Sequence, residues 1–136
     1  MVNTKRIIYA VTALAIVVGV SLGARYYIKL QNYNKIINGI SIKEVNLAKV
    51  SDGTYKGSFD ALMIEADTSV TVKNHKIVDI KLLHHKNERG KPAEVIPMRV
   101  VKAQSLKVDT VSGATNSSKV ILMSIQKALE KGSIKS

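Results

Sequence analysis

An uninterrupted apolar run near the N-terminus dominates the hydropathy pattern of the chain. The segment IIYAVTALAIVVGVSLGA, from Ile7 to Ala24, lies between Arg6 and Arg25 and contains no charged residue. As an α-helix rising about 1.5 Å per residue it is roughly 27 Å long, close to the thickness of a bilayer's hydrocarbon core. A buried helix of this character would need a large protein around it. The pattern therefore predicts a transmembrane anchor within residues 1–30.

The flanks of this run bear on whether the anchor is retained. A cleaved signal peptide is the rival interpretation, because the first six residues are basic and Ser21-Leu22-Gly23 resembles a cleavage site. The length of the run and the tyrosines beyond it, Tyr26 and Tyr27, favour an uncleaved anchor, since tyrosine is enriched at membrane interfaces. Both flanks are basic, and the short N-terminal tail predicts a cytoplasmic N-terminus with the domain outside.

Alternating apolar and polar residues begin after a polar juxtamembrane spacer, residues 31–50, in which Asn38-Gly39 predicts a break. The domain, residues 51–132, opens with DGTYKGSF, where Asp-Gly signals a turn and the aromatic residues suit a strand. The segment VTVKNHKIVDIKLL then alternates on both sides of KNHK, in which Asn74 can adopt a positive φ. This pattern predicts an antiparallel hairpin.

A helical period replaces the alternation after the hairpin. Pro92 and Pro97 predict two short helices rather than one, because proline interrupts helical hydrogen bonding. Residues 117–131 place their valine, isoleucine, alanine and leucine side chains on one helical face, and Gly132 follows. The predicted fold is α+β: an N-terminal transmembrane helix, then a small antiparallel sheet packed by two or three helices.

The net charge of +11 suggests nucleic-acid binding, but the placement of the charges argues against it. Five of the 21 basic residues lie in the first 35 residues, which contain no acidic residue, and lipid headgroups are their natural partner. The others are dispersed, with one phenylalanine and few tyrosines to stack on bases. We expect membrane lipid rather than nucleic acid as a partner. The lack of cysteine excludes disulfides, thiolate metal sites and thiol catalysis.

The residues around the end of the hairpin suggest two classes of site. His84, His85 and Glu88 are potential metal ligands, but neighbouring strand residues point to opposite faces, so one histidine at most can join a site. No metal site is predicted. Arg89 and Lys91 form a basic loop that can hold an anionic group. The serines near the C-terminus lack the histidine and aspartate pattern of a hydrolase triad.

The stretch before the last helix, DTVSGATNSS, crowds small and hydroxylated residues around one glycine. Gly113 permits a sharp turn. Thr115, Asn116 or Ser117 can cap the helix that follows. A helix start also favours phosphate, because its free N–H groups and its dipole attract anions. Local sequence therefore leaves two interpretations: a plain N-cap, or a phosphate held at the helix start beside a threonine hydroxyl.

The same stretch, Asp109-x-x-Ser112-Gly113-Ala114-Thr115, resembles the D-x-x-[ST]-G-A-T flavinylation motif of FMN-binding domains. These domains occur in flavin-carrying subunits of the sodium-pumping NADH:quinone reductase and of the ferredoxin:NAD reductase complex, and in small membrane-anchored proteins. DGTYKG, the hairpin, NERGKPAEVIP and VVKAQSLKVD also fit the small members, so the resemblance covers roughly residues 50–131. The loop HHKNERGKP departs from the Gly-rich, acidic loop of the larger subunits.

In that family a flavin transferase moves FMN from FAD onto the last threonine of the motif and makes a phosphoester bond. The resemblance implies that Thr115 is the attachment residue. It also implies that the transferase reads the other motif residues and that they shape the site of the flavin phosphate: Asp109, Ser112, Gly113 and Ala114.

Further flavin contacts are predicted just after the motif, at Ser117, and in the loop, at His84, His85 and Arg89. The resemblance implies an extracytoplasmic, membrane-anchored FMN carrier. Such a carrier transfers electrons between a membrane donor and an external acceptor and is more a carrier than a catalyst. The alternative is a membrane-tethered binding module of the same fold that holds FMN non-covalently or not at all.

Overall fold

A long N-terminal helix is the first element of the computed structural model, which describes residues 3–87 and 89–134. Helix α1, Thr4–Asn38, starts after Asn3, whose side chain accepts a hydrogen bond from the backbone N–H of Lys5. It ends at the predicted break, where Gly39 follows. An 18-residue segment of α1 has a mean hydropathy of 2.3, and no residue of that segment is buried within the protein. By length and composition, α1 is a candidate membrane span.

Three antiparallel strands in the order β1-β2-β3 form the sheet: β1, Gly53–Asp60; β2, Glu65–Lys73; and β3, Lys76–Lys86. Asn74 and His75 connect β2 to β3 with φ values of 52° and 62°. Two left-handed residues make the tight turn whose twist matches that of the strands. The predicted hairpin and its turn are confirmed.

Two β-bulges in β3 change which of its residues face the core. The register skips Val78 and again Leu83, and both side chains are about half exposed, at 51 % each. Each extra residue reverses the alternation of the strand that follows it. Ile77 and Ile80, three residues apart, are therefore both buried. After the second bulge it is the side chain of His85 that is buried.

The last helix, α3, Thr115–Gly132, lies across β1 and β2. Its predicted apolar face forms much of the core, with side chains at most 1 % exposed at Val120, Ile121, Ile125, Ala128 and Leu129. Ser124 lies among them, and its Oγ is 3.2 Å from Oγ1 of Thr68 on β2. The prediction of an amphipathic last helix is confirmed.

The two proline-containing segments form a 3-10 helix, Lys91–Val95, and helix α2, Ile96–Ala103, which packs against β3. Helix α2 ends at Gln104, whose φ is 52°. The Gln104 side chain accepts a hydrogen bond from the N–H of Ile77 and donates one to its carbonyl, both 2.8 Å long. It thus pairs the edge of β3 as a neighbouring strand would. One sheet, the two helices packed on it and the apolar N-terminal helix confirm the α+β prediction.

Candidate functional site

The turn that leads into α3 depends on Gly113. Its φ is 79°, in the region that residues with a Cβ rarely adopt. The N–H of Ala114 then donates to the carbonyl of Val111 at 2.9 Å, which closes the turn. The helix begins at the next residue, Thr115, which is exposed. The predicted attachment residue therefore presents its hydroxyl at the N-terminus of α3.

The predicted side-chain cap of this helix is wrong. Ala114 occupies the N-cap position, and no side chain of the described residues caps the helix. The turn is instead held from inside by the buried Ser118, whose Oγ accepts from the N–H of Val111 at 3.0 Å and donates to the carbonyl of Ala114 at 2.8 Å. The N–H groups of Thr115 and Asn116 have no intrahelical acceptor, because they lie in the first turn. They remain available to an anion.

A cavity of about 460 Å³ lies at this helix start. Its size falls within the range of about 300–1,000 Å³ that is common for small-molecule sites. Four parts of the chain line it: the C-terminal part of α1, the loop after β1, the loop after β3, and the start of α3 with the residues before it. The lining residues are Tyr26, Leu30, Tyr33, Met63, Ile64, Arg89, Gly90, Gly113, Ala114, Thr115, Asn116 and Ser117.

The loop after β3 contacts the start of α3 closely through Gly90. A Cβ at residue 90 would overlap the side chain of Ser117. The side-chain amide oxygen of Asn87 accepts from the N–H of Gly90 at 3.2 Å and holds the loop in this position. Only glycine allows this approach, which brings Arg89 to the cavity. Arg89, which is positively charged, and the N-terminus of α3, the positive end of its helix dipole, thus both line one cavity.

Ser117 is the unusual polar residue of the cavity. It is 2 % exposed, and its Oγ has no hydrogen-bond partner among residues 3–87 and 89–134. A buried hydroxyl without a partner costs about 1–3 kcal/mol. Its neighbour Ser118, equally buried, has two partners. The unpaired hydroxyl at the cavity wall is therefore suited to a polar group of a ligand.

Five of the predicted site residues line the cavity together: Arg89, Gly113, Ala114, Thr115 and Ser117. The other two motif residues, Asp109 and Ser112, are exposed in the preceding loop and are not part of the lining. The carbonyl of Asp109 accepts a hydrogen bond from Nη1 of Arg99 at 2.9 Å, which ties that loop to α2.

The two predicted histidines point to opposite faces of β3, as expected, and neither lines the cavity. The side chain of His84 is 54 % exposed, and its Nε2 lies 3.7 Å from Glu65. The side chain of His85 is 2 % exposed, and its Nδ1 lies 3.3 Å from Oε1 of Glu94 and 3.2 Å from Nδ2 of Asn87. His85 thus contacts the residue that holds the loop at Gly90. Within the described ranges no group of three or more acidic or histidine side chains is placed to hold a metal ion.

Sequence reasoning missed the apolar wall of the cavity. Three of its residues come from α1, in the stretch interpreted as interface and spacer: Tyr26, Leu30 and Tyr33. With Ile37 they recur at intervals of four, three and four residues, which is the spacing of one helical face. Tyr33 and Ile37 are buried, at 9 % and 3 % exposure. The spacing of these four residues was the sequence signal that this face of α1 packs against the domain.

Residues 64–130 match the family described as FMN-binding domain. No curated protein matches the chain. The matched range begins at the cavity residue Ile64 and includes β2, β3, α2, the motif and nearly all of α3. Residues 64–130 of this chain, preceded by an apolar helix fit to anchor them in a membrane, therefore belong to the FMN-binding domain family.

Proposed function

We propose that this protein is a membrane-anchored flavoprotein that carries FMN on Thr115 through a phosphoester bond and transfers electrons. The surroundings of Thr115 are the observation that carries the proposal. Thr115 is the exposed first residue of a helix that no described side chain caps, and the buried Oγ of Ser117, unpaired among the described residues, lies in the same cavity. Unpaired N–H groups and a hydroxyl at one place are suited to phosphate oxygens, which accept hydrogen bonds.

The polarity of the cavity fits FMN. Its lining includes the start of α3 and Arg89, which can hold a phosphate. Much of the remaining lining is apolar and aromatic, formed by residues of α1 together with Met63 and Ile64. FMN has the same division, since its phosphate and its aromatic ring lie at opposite ends of a ribityl chain. When bound, the flavin supplies one- and two-electron transfer, and the protein supplies its position and surroundings.

The attachment step is a phosphoryl transfer from FAD that a flavin transferase would catalyse. The hydroxyl oxygen of Thr115 forms a bond to the phosphorus of the FMN half, the pyrophosphate bond breaks, AMP leaves, and the hydroxyl proton passes to a base. The exposure of Thr115 gives the transferase access. Around the position of a Cβ on Gly113 there is open space to 4 Å, so the turn leaves room for the cofactor.

The anchor determines where the carrier works. We place the N-terminus in the cytoplasm and the domain outside, where FMN is dilute. A covalent tether then keeps the local flavin concentration high, as linking any two partners does. The electron donor belongs to the membrane and the acceptor lies outside it. The basic residues that flank the apolar segment of α1, which include Arg25 and Lys29, support contact with anionic lipid headgroups.

Denaturing precipitation of the chain after co-expression with a flavin transferase tests the covalent bond. The wild-type pellet should be yellow, and the Thr115→Ala pellet should be colourless. Thr110→Ala, which removes another exposed threonine of the same loop, should leave a yellow pellet. A colourless wild-type pellet under a yellow supernatant would refute covalent attachment and support the binding module that holds FMN non-covalently.

A further inference from the structure

The end of α1 closes one side of the cavity. Tyr26, Leu30 and Tyr33 project from one face of the helix onto the same cavity as Thr115. They lie in the same continuous helix as the apolar segment. The helix proposed to anchor the protein thus also contributes to the lining of the cavity.

A hydrogen bond fixes this wall to the helix that carries Thr115. Nδ2 of Asn116 donates to the hydroxyl of Tyr33 at 3.0 Å. Tyr33 is only 9 % exposed, so its position depends on contacts with the domain rather than on solvent. Because Asn116 directly follows Thr115, the bond sets the distance between the attachment residue and the aromatic wall.

With α1 spanning the membrane as proposed, this wall would lie at the level of the membrane surface. Tyr26 follows the first charged residue after the apolar run, Arg25, and remains 59 % exposed. Tyr33 lies seven residues further on, which is about 10 Å along a helix that rises 1.5 Å per residue. The cavity would then extend from the headgroup region outward, and a ligand in it would lie beside the bilayer.

We propose that the juxtamembrane face of α1 is part of the flavin site, with Tyr26 and Tyr33 in contact with the flavin ring. This inference rests on the binding of FMN in the proposed function, though not on the phosphoester bond. It makes the anchor a component of the site rather than a passive tether. It also holds the flavin at the membrane surface, where a donor within the bilayer can reach it.

Flavin fluorescence of the full chain in lipid nanodiscs tests this contact. Excited flavin takes an electron from a phenol that touches it and returns it without emission, whereas a phenyl ring does not donate. The double variant Tyr26→Phe/Tyr33→Phe keeps both aromatic rings and removes both phenols, and with the Tyr33 hydroxyl it also removes the acceptor for Asn116. We expect several-fold higher emission per bound flavin than in the wild type. Tyr9→Phe/Tyr27→Phe, which changes two exposed tyrosines of α1 outside the cavity, should emit as the wild type does.

The amount of bound flavin is measured separately by intact mass, so the two proposals fail in different ways. Full loading with equal emission in the wild type and both variants would overturn the contact with α1 and leave the phosphoester standing. If no covalent flavin forms, that result alone refutes the covalent bond, and FMN is added to the same three proteins. Quenching of the added FMN by the wild type and not by Tyr26→Phe/Tyr33→Phe would then support the contact with α1. If none of the three proteins quenches the added FMN, both the covalent bond and the contact with α1 are overturned.

Discussion

Replacing Ser117 with alanine should stabilise the chain without flavin and weaken the stabilisation that flavin gives. The Oγ of Ser117 is buried and unpaired among the described residues, which costs about 1–3 kcal/mol that alanine would recover. Alanine is also the better helix former, by up to about 0.7 kcal/mol. We therefore expect the free energy of unfolding of the unloaded chain to rise by about 1–3 kcal/mol.

Bound flavin should reverse the sign for Ser117→Ala. A hydrogen bond from Oγ to a phosphate oxygen has a charged acceptor and contributes about 1.5–3 kcal/mol. The loaded wild type gains this contribution and loses the cost of the unpaired hydroxyl, whereas the loaded variant gains neither. The increase in stability on loading should thus be smaller in Ser117→Ala than in the wild type by a few kcal/mol.

Ser118→Ala is the matched control. Ser118 is the next residue of the same helix and is fully buried, so the change in helix propensity and in buried volume is the same. Its Oγ makes two hydrogen bonds, to Val111 and Ala114, each contributing about 0.5–1.5 kcal/mol. Ser118→Ala should therefore be less stable than the wild type both with and without flavin.

The assay is denaturant unfolding of the full chain in detergent, with intact mass used to separate loaded from unloaded protein. The difference between the two serine variants is the quantity of interest, because helix propensity cancels in it. Equal destabilisation of the unloaded chain by Ser117→Ala and Ser118→Ala would refute the reasoning, since it would mean that Oγ of Ser117 is already satisfied.

Three further variants test the neighbouring structure by thermal unfolding. Gly90→Ala should cost about 1–3 kcal/mol by overpacking against Ser117, and flavin loading should fall with it; unchanged stability and loading would contradict the close approach. Gly113→Ala, with open space but a φ of 79°, should cost only the left-handed strain of about 1–2 kcal/mol; no loss would contradict that strain. Gln104→Ala removes two hydrogen bonds to Ile77 and should cost about 1–3 kcal/mol, whereas a neutral result would show that water replaces them.

The hairpin and the last helix were predictable because their signals are local. The turn at Asn74 and the apolar face of α3 depend on residues close together in sequence, and both are found where the pattern places them. The bulges at Val78 and Leu83 were not predictable, because an extra residue in one strand is defined only by its partner strand. They decide that His85, and not His84, is buried.

The candidate site was predictable in its motif and not in its walls. Thr115 and Gly113 stand out because of residue type and spacing. The unpaired hydroxyl of Ser117 could not be inferred, since it depends on the approach of Gly90 from a distant loop. The contribution of Tyr33 depends on the docking of α1 against the start of α3 through Asn116, a contact across 83 residues of sequence. Such contacts follow from the tertiary fold alone.

The covalent assignment to Thr115 is tested most directly by the intact mass of the full chain produced with and without a flavin transferase. With the transferase, the wild type should gain the mass of one FMN less one water. Thr115→Ala should gain nothing, and Thr110→Ala should gain as much as the wild type. An unchanged wild-type mass, or a full gain in Thr115→Ala, would contradict the assignment.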